Sequence, residues 1–181
     1  MKLGGQSEVY LRPVSKADCD AFVGAMQRSR KLHEPWIFPP RSREAFQRYF
    51  ERMQTPDHEG LLICRELDDQ LVGVINLNNI VRGALLSASL GYYAVVDFNG
   101  RGYMYQGLNL VVELAFDVLG LHRLEACIQP DNTASLNLVR GAGFRFEGLS
   151  PSLLYIAGAW RDHERWALLD TRATLLPPGH D

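Results

Sequence analysis

Several things are missing from this sequence, and each absence narrows what the protein can be. No run of residues is long and apolar enough to span a membrane as a helix. The opening stretch Met1-Lys2-Leu3-Gly4-Gly5-Gln6-Ser7-Glu8 lacks the apolar region of an export signal. Cysteine is scarce: Cys19, Cys64 and Cys127 stand far apart, without a CxxC pair. That excludes a disulfide framework and points to a reducing, cytoplasmic setting. Charge of one sign is missing as well. With 19 Lys and Arg against 21 Asp and Glu, the net charge is −2, too weak a field to draw in nucleic acid or an anionic membrane, so neither is expected as a partner. His33, His122 and His163 do not fall at ligand spacing, so no metal is expected. There is no repeat and no low-complexity tract.

What remains is ordinary globular material: 181 residues, 46% hydrophobic and 22% charged. That length fits one domain with a full core. We read 1–181 as that domain, with 1–7 and 176–181 as loose ends.

Glu8-Val9-Tyr10-Leu11-Arg12 alternates like a short strand. Ser15 is placed to cap a helix running to about Arg30. Three prolines between Leu32 and Pro40 then forbid helix. Ser42 caps a second helix, with Phe46, Tyr49, Phe50 and Met53 along one face. Gly60–Arg65 and Leu71–Leu77 read as a hairpin around Asp68-Asp69-Gln70. Leu85–Val96 reads as another strand. Past the polar loop Asp97–Gly102, the residues Met104, Leu108, Val111, Val112, Ala115 and Leu119 form an apolar helical stripe, and Gly120 stops it. His122–Ile128 is strand. Pro130-Asp131-Asn132 opens a short helix with Ser135, Leu138, Val139 and Ala142 expected inside. Two last strands, about Phe144–Ile156 and Trp160–Leu169, flank Ala157-Gly158. The order implies a mixed α/β (α+β) sheet, not the strict alternation of a doubly wound fold.

The chemical centre is the stretch Asn99-Gly100-Arg101-Gly102-Tyr103-Met104, between a strand and a helix. The first amides of a helix have no intrahelical acceptors and lie at the positive end of its dipole. Glycines let phosphate oxygens approach the backbone, and Arg101 adds charge. A plain tight turn has the same composition. Two familiar phosphate loops are excluded. After Gly102 and Gly107 a Walker loop needs lysine, and the residue is Leu108. After Gly100 and Gly102 a dinucleotide loop needs a third glycine, and the residue is Tyr105.

Asn99-x-x-Gly102-x-Met104 resembles the pyrophosphate signature of the GNAT N-acetyltransferases, usually Gln or Arg, two residues, Gly, one residue, Gly or Ala. Asn132-Thr133-Ala134-Ser135 followed by Gly143-Phe144 is similar to that family's second landmark. Leu32-His33-Glu34-Pro35-Trp36, Asn78–Gly83, Leu90-Gly91-Tyr92, His122-Arg123 and Tyr155–His163 resemble its ribosomal-protein-alanine branch. The resemblance implies a GNAT-like, mostly antiparallel central sheet of about seven strands with about four helices. It implies transfer of an acetyl group from acetyl-CoA to a primary amine, without metal, by a monomer or homodimer. The acceptor would be a protein N-terminus, possibly of a ribosomal protein. A small amine (polyamine, amino acid or antibiotic) and a non-catalytic acyl-CoA-binding role stay open.

Carried onto this chain, the resemblance gives the loop Asn99, Gly100, Arg101, Gly102, Tyr103 and Met104 to the pyrophosphate. It gives the backbone of Tyr93, Ala94, Val95 and Val96 to the pantetheine arm, which requires that strand to splay from His122–Ile128. An amide there would also hold the thioester oxygen. Asn132 would hold pantetheine or water, or simply cap its helix. Ser135, three residues on and on the same face, would serve the departing sulfur, or permit close packing. Glu125 is the leading carboxylate, with a salt-bridged strand residue as the alternative. Ser152-Leu153-Leu154-Tyr155 and Ser89-Leu90-Gly91 lack acids that related enzymes can carry, which leaves Tyr155 as a hydroxyl relay. Trp36, Phe38, Asn76, Asn78 and Trp160 are candidates for the acceptor cleft, or for core packing.

Overall fold

The computed structural model describes residues 7–172. The expected loose ends at 1–6 and 176–181 lie outside these residues. Ser7 is described, and its hydroxyl donates to Gln106 Oε1 at 2.9 Å.

Seven strands build one sheet: β1 Val9–Pro13, β2 Glu59–Arg65, β3 Leu71–Val81, β4 Ser87–Ala94, β5 Arg123–Ile128, β6 Arg145–Ile156 and β7 Ala159–Leu169. Their spatial order is β1-β2-β3-β4-β5-β7-β6. Every neighbouring pair is antiparallel except β4 and β5. β2 and the first half of β3 are near-continuous apolar runs because helices cover both faces there. β6, at the edge, is exposed along most of its length.

On one face lie α1 Cys19–Arg28, the single turn α2 Arg30–His33, and α3 Arg43–Arg52. Phe22 of α1 packs edge-on against Tyr93 of β4 and beside Tyr49 of α3. The other face carries α4 Tyr103–Glu113 and α5 Thr133–Gly141. Met104 of α4 lies over Gly73, and Gly107 lies over Ile63.

The local signals mostly act as the sequence implies. Ser42 Oγ accepts from Ala45 N–H at 3.2 Å and starts α3. Ser15 starts the first helical segment, with its N–H donating to Asp18 at 2.7 Å. That segment is not one helix to Arg30, however. A 3₁₀ turn, Lys16–Asp18, leads into α1, and the chain breaks at Ser29 before α2.

Two helical faces also differ from the sequence pattern. α4 runs into a π-helical turn, Leu114–Val118, whose extra residue rotates the buried face so that Leu114, Ala115 and Phe116 are all inside. In α5 the buried side chains are Leu136 and Val139, while Ser135, Leu138 and Ala142 are half-buried. Val139 is inside as expected, Leu136 is buried instead of Ser135, Leu138 and Ala142, and the small Ser135 sits at the margin of this face.

α4 approaches β2 closely because Gly107 has no side chain. A Cβ there would stand 2.4 Å from Ile63 Cδ1 and 2.8 Å from its Cγ1. Ile63 is fully buried and branched, so it has little room to yield. Gly107→Val is expected to lower the unfolding free energy by roughly 1–3 kcal/mol, the usual cost of overpacking. Urea unfolding monitored by circular dichroism measures this, and an unchanged midpoint would show that the helix can shift outward freely.

Candidate active site

The one parallel pair among the described residues, β4 with β5, comes apart. β4 and β5 pair at Ser87–Arg123, Ala88–Leu124 and Ser89–Glu125, and no further. Beyond Ser89, β4 stays with β3 as far as the Gly73–Ala94 pair. β5 stays with β7 as far as Ile128–Glu164. A wedge therefore opens between Leu90–Ala94 and Ala126–Ile128, the splay that a pantetheine arm requires.

A buried strand edge cannot be left without hydrogen-bond partners. Here the break between α1 and α2 and the end of α2 supply them. Val96 N–H donates to Ser29 Oγ at 2.9 Å, and Ser29 Oγ in turn donates to Ala25 C=O at 2.7 Å. His33 Nε2 lies 2.7 Å from Ala94 C=O. A carbonyl only accepts, so this nitrogen carries the proton. Val95 N–H donates to Val72 C=O at 2.9 Å. The C=O groups of Val95 and Val96 accept from Phe98 and Asn99 at 3.0 and 3.2 Å, while Tyr93 sits opposite Val74 in the ladder to β3. Of the segment given to the pantetheine arm, the Ala94 N–H is the donor left facing the wedge. The expectation for Val95 and Val96 is corrected accordingly: their amides already have partners.

The loop after β4 fits an anion. Gly100 and Gly102 have φ of +74° and +79°, and no atom lies within 4 Å of where a Cβ would be. Gly102 is the N-cap of α4. Gln106 N–H is bonded to Gly102 C=O at 3.1 Å, so the amides of Tyr103, Met104 and Tyr105 precede the first helical hydrogen bond. The Arg65 and Arg101 guanidiniums sit over the Phe98 ring at 4.9 and 5.9 Å from its centre. Arg65 is a second cation beside the loop that the local motif does not contain. Asn99 is exposed at the loop's start.

Across the wedge, Asn132 is the N-cap of α5, and its Oδ1 accepts from Ser135 N–H at 3.2 Å. The capping role is thus real, and it fixes Ser135. At the apex, Glu125 is held by Arg123 Nε at 2.6 Å and Arg165 at 2.9 Å. Arg123 also pairs with Glu147, whose carboxyl it holds below the usual range. Both Glu125 carboxylate oxygens are thus occupied by arginine guanidiniums. Cys127, beside it on β5, has its thiol pushed up by burial, which suits a packed side chain rather than a nucleophile.

The aromatic candidates separate into two groups. Trp36 is half-buried and Phe38 exposed on the segment between α2 and α3. Tyr155 and Trp160, 64% and 63% exposed, meet edge-on at 5.6 Å. They sit at the tip of the β6–β7 hairpin, past the last β5–β7 pair. Asn78 Nδ2 reaches Ser89 C=O at 3.4 Å, near the apex. Asn76 is not on a cleft wall. It is only 5% exposed, and its Oδ1 accepts from Tyr49 Oη–H at 2.8 Å beneath α3.

Residues 8–145 match the family model described as an acetyltransferase (GNAT) domain. The chain is 32% identical over 170 residues to the probable N-acetyltransferase YjcK of Bacillus subtilis, covering 90% of this chain and 94% of that one. It is 34% identical over 101 residues to the [ribosomal protein uS5]-alanine N-acetyltransferase of Escherichia coli, which is 56% of this chain and 52% of that one. Among solved structures, Mycobacterium smegmatis RimJ in complex with CoA-disulfide superposes with a TM-score of 0.83 at 28% identity, covering 92% and 84%.

His33 carries a testable electrostatic consequence. Burial, opposed by the Ala94 carbonyl and joined by the Arg41 charge, lowers its pKa in the folded state. Unfolded His titrates near ~6.5. As pH falls through that value, the unfolded chain takes up a proton that the folded one resists, so stability is lost on the acid side. Urea unfolding from about pH 7 to 5 should show stability falling by up to ~1.4 kcal/mol per pH unit from this group. His33→Gln should flatten that slope; equal slopes in both proteins would show that His33 is not the group responsible.

Proposed function

The chain belongs to the GNAT acetyltransferase family and is an acetyl-CoA-dependent N-acetyltransferase; on that premise we propose that its acceptor is the α-amino group of a protein N-terminus. The observation that carries the reading is the wedge between β4 and β5, closed at one end by the Ser89–Glu125 pair and flanked by the starts of α4 and α5. The family assignment sets aside the non-catalytic alternative.

The charge on the acceptor side favours an N-terminus over a polyamine. Between Arg28 and Arg43 stand Arg28, Arg30, Lys31, Arg41 and Arg43, with Glu34 the only acid within the segment, while Arg28 pairs with Asp97 at 3.1 Å and Arg43 with Asp20 at 2.6 Å. Glu34 is already engaged by Arg30 at 2.9 Å and Arg41 at 2.8 Å. Glu125 is similarly engaged. A polyamine carries several ammonium groups and needs free carboxylates to replace their hydration. A peptide brings its own acceptors, and often its own acids.

Acetyl-CoA supplies the acetyl group as a thioester. Arg101, with the amides of Gly102, Tyr103 and Met104, receives the pyrophosphate at the open glycine loop, Asn99 and Gly100 shaping its approach. The open edge of β4 at Ala94 guides the pantetheine arm, and the Ala94 N–H, facing the wedge, is aimed at the oxygen on which charge develops. In the transfer a C–N bond forms and the C–S bond breaks. The nitrogen loses one proton to water, and sulfur leaves with the electron pair. Ser135, oriented by Asn132, donates a hydrogen bond to that sulfur. Trp36, Phe38, Asn78, Tyr155 and Trp160 frame the incoming peptide.

No strong base is required. An α-amino group has a pKa of ~7.7–8.0, against ~10.4 for lysine, so an appreciable fraction is neutral near pH 7. Glu125 acts as the counter-ion that fixes Arg123 and Arg165 at the apex.

The test has two steps. Calorimetry with acetyl-CoA should give saturable binding in the wild type that Gly102→Asp reduces at least tenfold, because the substitution puts an anion beside the pyrophosphate and strains the left-handed backbone. Undiminished affinity in the folded variant would move the pyrophosphate elsewhere. A panel of peptides with free N-termini is then compared with polyamines and amino acids by CoA release. Turnover on small amines alone would overturn the acceptor assignment. Glu125→Gln separates the two roles of that residue: loss of a general base costs on the order of 10²–10⁴ in rate, whereas loss of a counter-ion leaves activity within about tenfold.

A further inference from the structure

Tyr92 follows Gly91 on β4, inside the wedge. Side chains alternate along a strand, so Tyr92 points away from its neighbour Tyr93, whose ring packs with Phe22 and His33 on the α1–α3 side. It faces the side of α4 and α5. Its hydroxyl is buried and meets no partner at hydrogen-bonding geometry. The polar side chain within its reach is Ser135. Burial pushes the Tyr92 phenol up to about 12, so it keeps its proton throughout the working range and has one to offer. A tyrosine present only for packing has no use for a hydroxyl in such a place, since phenylalanine fills the same volume without the desolvation cost.

Ser135 has one proton and two lone pairs. Its backbone N–H is fixed by Asn132 Oδ1, but its hydroxyl proton is free to turn. A donor directed into one lone pair stops that rotation and leaves the serine proton to point elsewhere.

We propose that Tyr92 is a positioning residue for Ser135: its hydroxyl donates to Ser135 Oγ, so that the serine proton is aimed at the sulfur of CoA. The inference rests on the role given to Ser135 above. It makes the pair a two-hydroxyl chain running from Tyr92 to Ser135 to sulfur. No proton changes owner along it, because an alcohol is far less acidic than a thiol. The chain lends a hydrogen bond to the thiolate as the C–S bond breaks, and the hydrogen bond from tyrosine polarises the serine O–H and strengthens it. The hydroxyls draw together when sulfur arrives, as catalytic hydrogen bonds commonly tighten on binding.

The experiment needs no acceptor. CoA is bound to wild type, Tyr92→Phe, Ser135→Ala and the double variant, and the bound thiol is titrated by the ultraviolet absorbance of its thiolate. Calorimetric affinity for CoA confirms that each variant is folded and loaded. Ser135→Ala should raise the thiol pKa. Tyr92→Phe should raise it by roughly 0.7 unit, the weight of one neutral hydrogen bond. Added to Ser135→Ala, it should do nothing further. Turnover should fall about fivefold in Tyr92→Phe, with KM for acetyl-CoA unchanged. A Tyr92→Phe shift that persists in the Ser135→Ala background overturns the proposal, and so does no shift where Ser135→Ala gives one; both leave Ser135 standing. No shift in Ser135→Ala, with CoA bound, overturns the role of Ser135 and with it that of Tyr92. Absence of CoA binding to the wild type overturns the site as a whole.

Discussion

The structure turns on what happens to β4 once β5 departs. A central strand exposes backbone donors and acceptors on both edges, and all of them need partners when buried. Up to Ser89 the partner is β5. Beyond it the sheet no longer provides one, and the strand would collapse back or fray. Ser29 and His33 prevent both outcomes by taking the Val96 N–H and the Ala94 carbonyl. The break between α1 and α2 at Ser29 places these two side chains over the strand end. What reads locally as an imperfect helix is the device that holds the sheet open.

The two parallel strands explain why the chemistry gathers at one end. β4 and β5 run the same way, so the loops leaving them emerge side by side, and each leads into a helix whose N-terminus is close to its strand. One start offers amides and positive-φ glycines, the other an Asn cap and a serine hydroxyl. Oriented dipoles in a partly dry cleft stabilise developing charge without reorganising.

Much of this was legible in the sequence, and for identifiable reasons. Strand runs bounded by glycine and aspartate turns, together with the Ser15 and Ser42 caps, gave the element order because each is a local signal. The strand–glycine loop–helix unit was legible for the same reason. What sequence could not reveal involves partners remote in the chain. Ser29 and His33 act on residues more than sixty positions away. Arg65 reaches the loop through the ring of Phe98. Asn76, read as a cleft residue, is withdrawn from solvent by Tyr49. The π-turn after α4 shifts the buried face by one residue, and no composition signal marks it.

The β6–β7 hairpin adds a different consequence. It joins the sheet only through β7 on β5, and its tip, Tyr155 to Trp160, projects beyond the last pair of that seam. The glycine loop after β4 and the Ser29–His33 brace belong to other elements altogether. A change in the length or side chains of the tip therefore touches neither the glycine loop nor that brace. The seam between the hairpin and the rest of the sheet is a single strand pairing, β7 on β5.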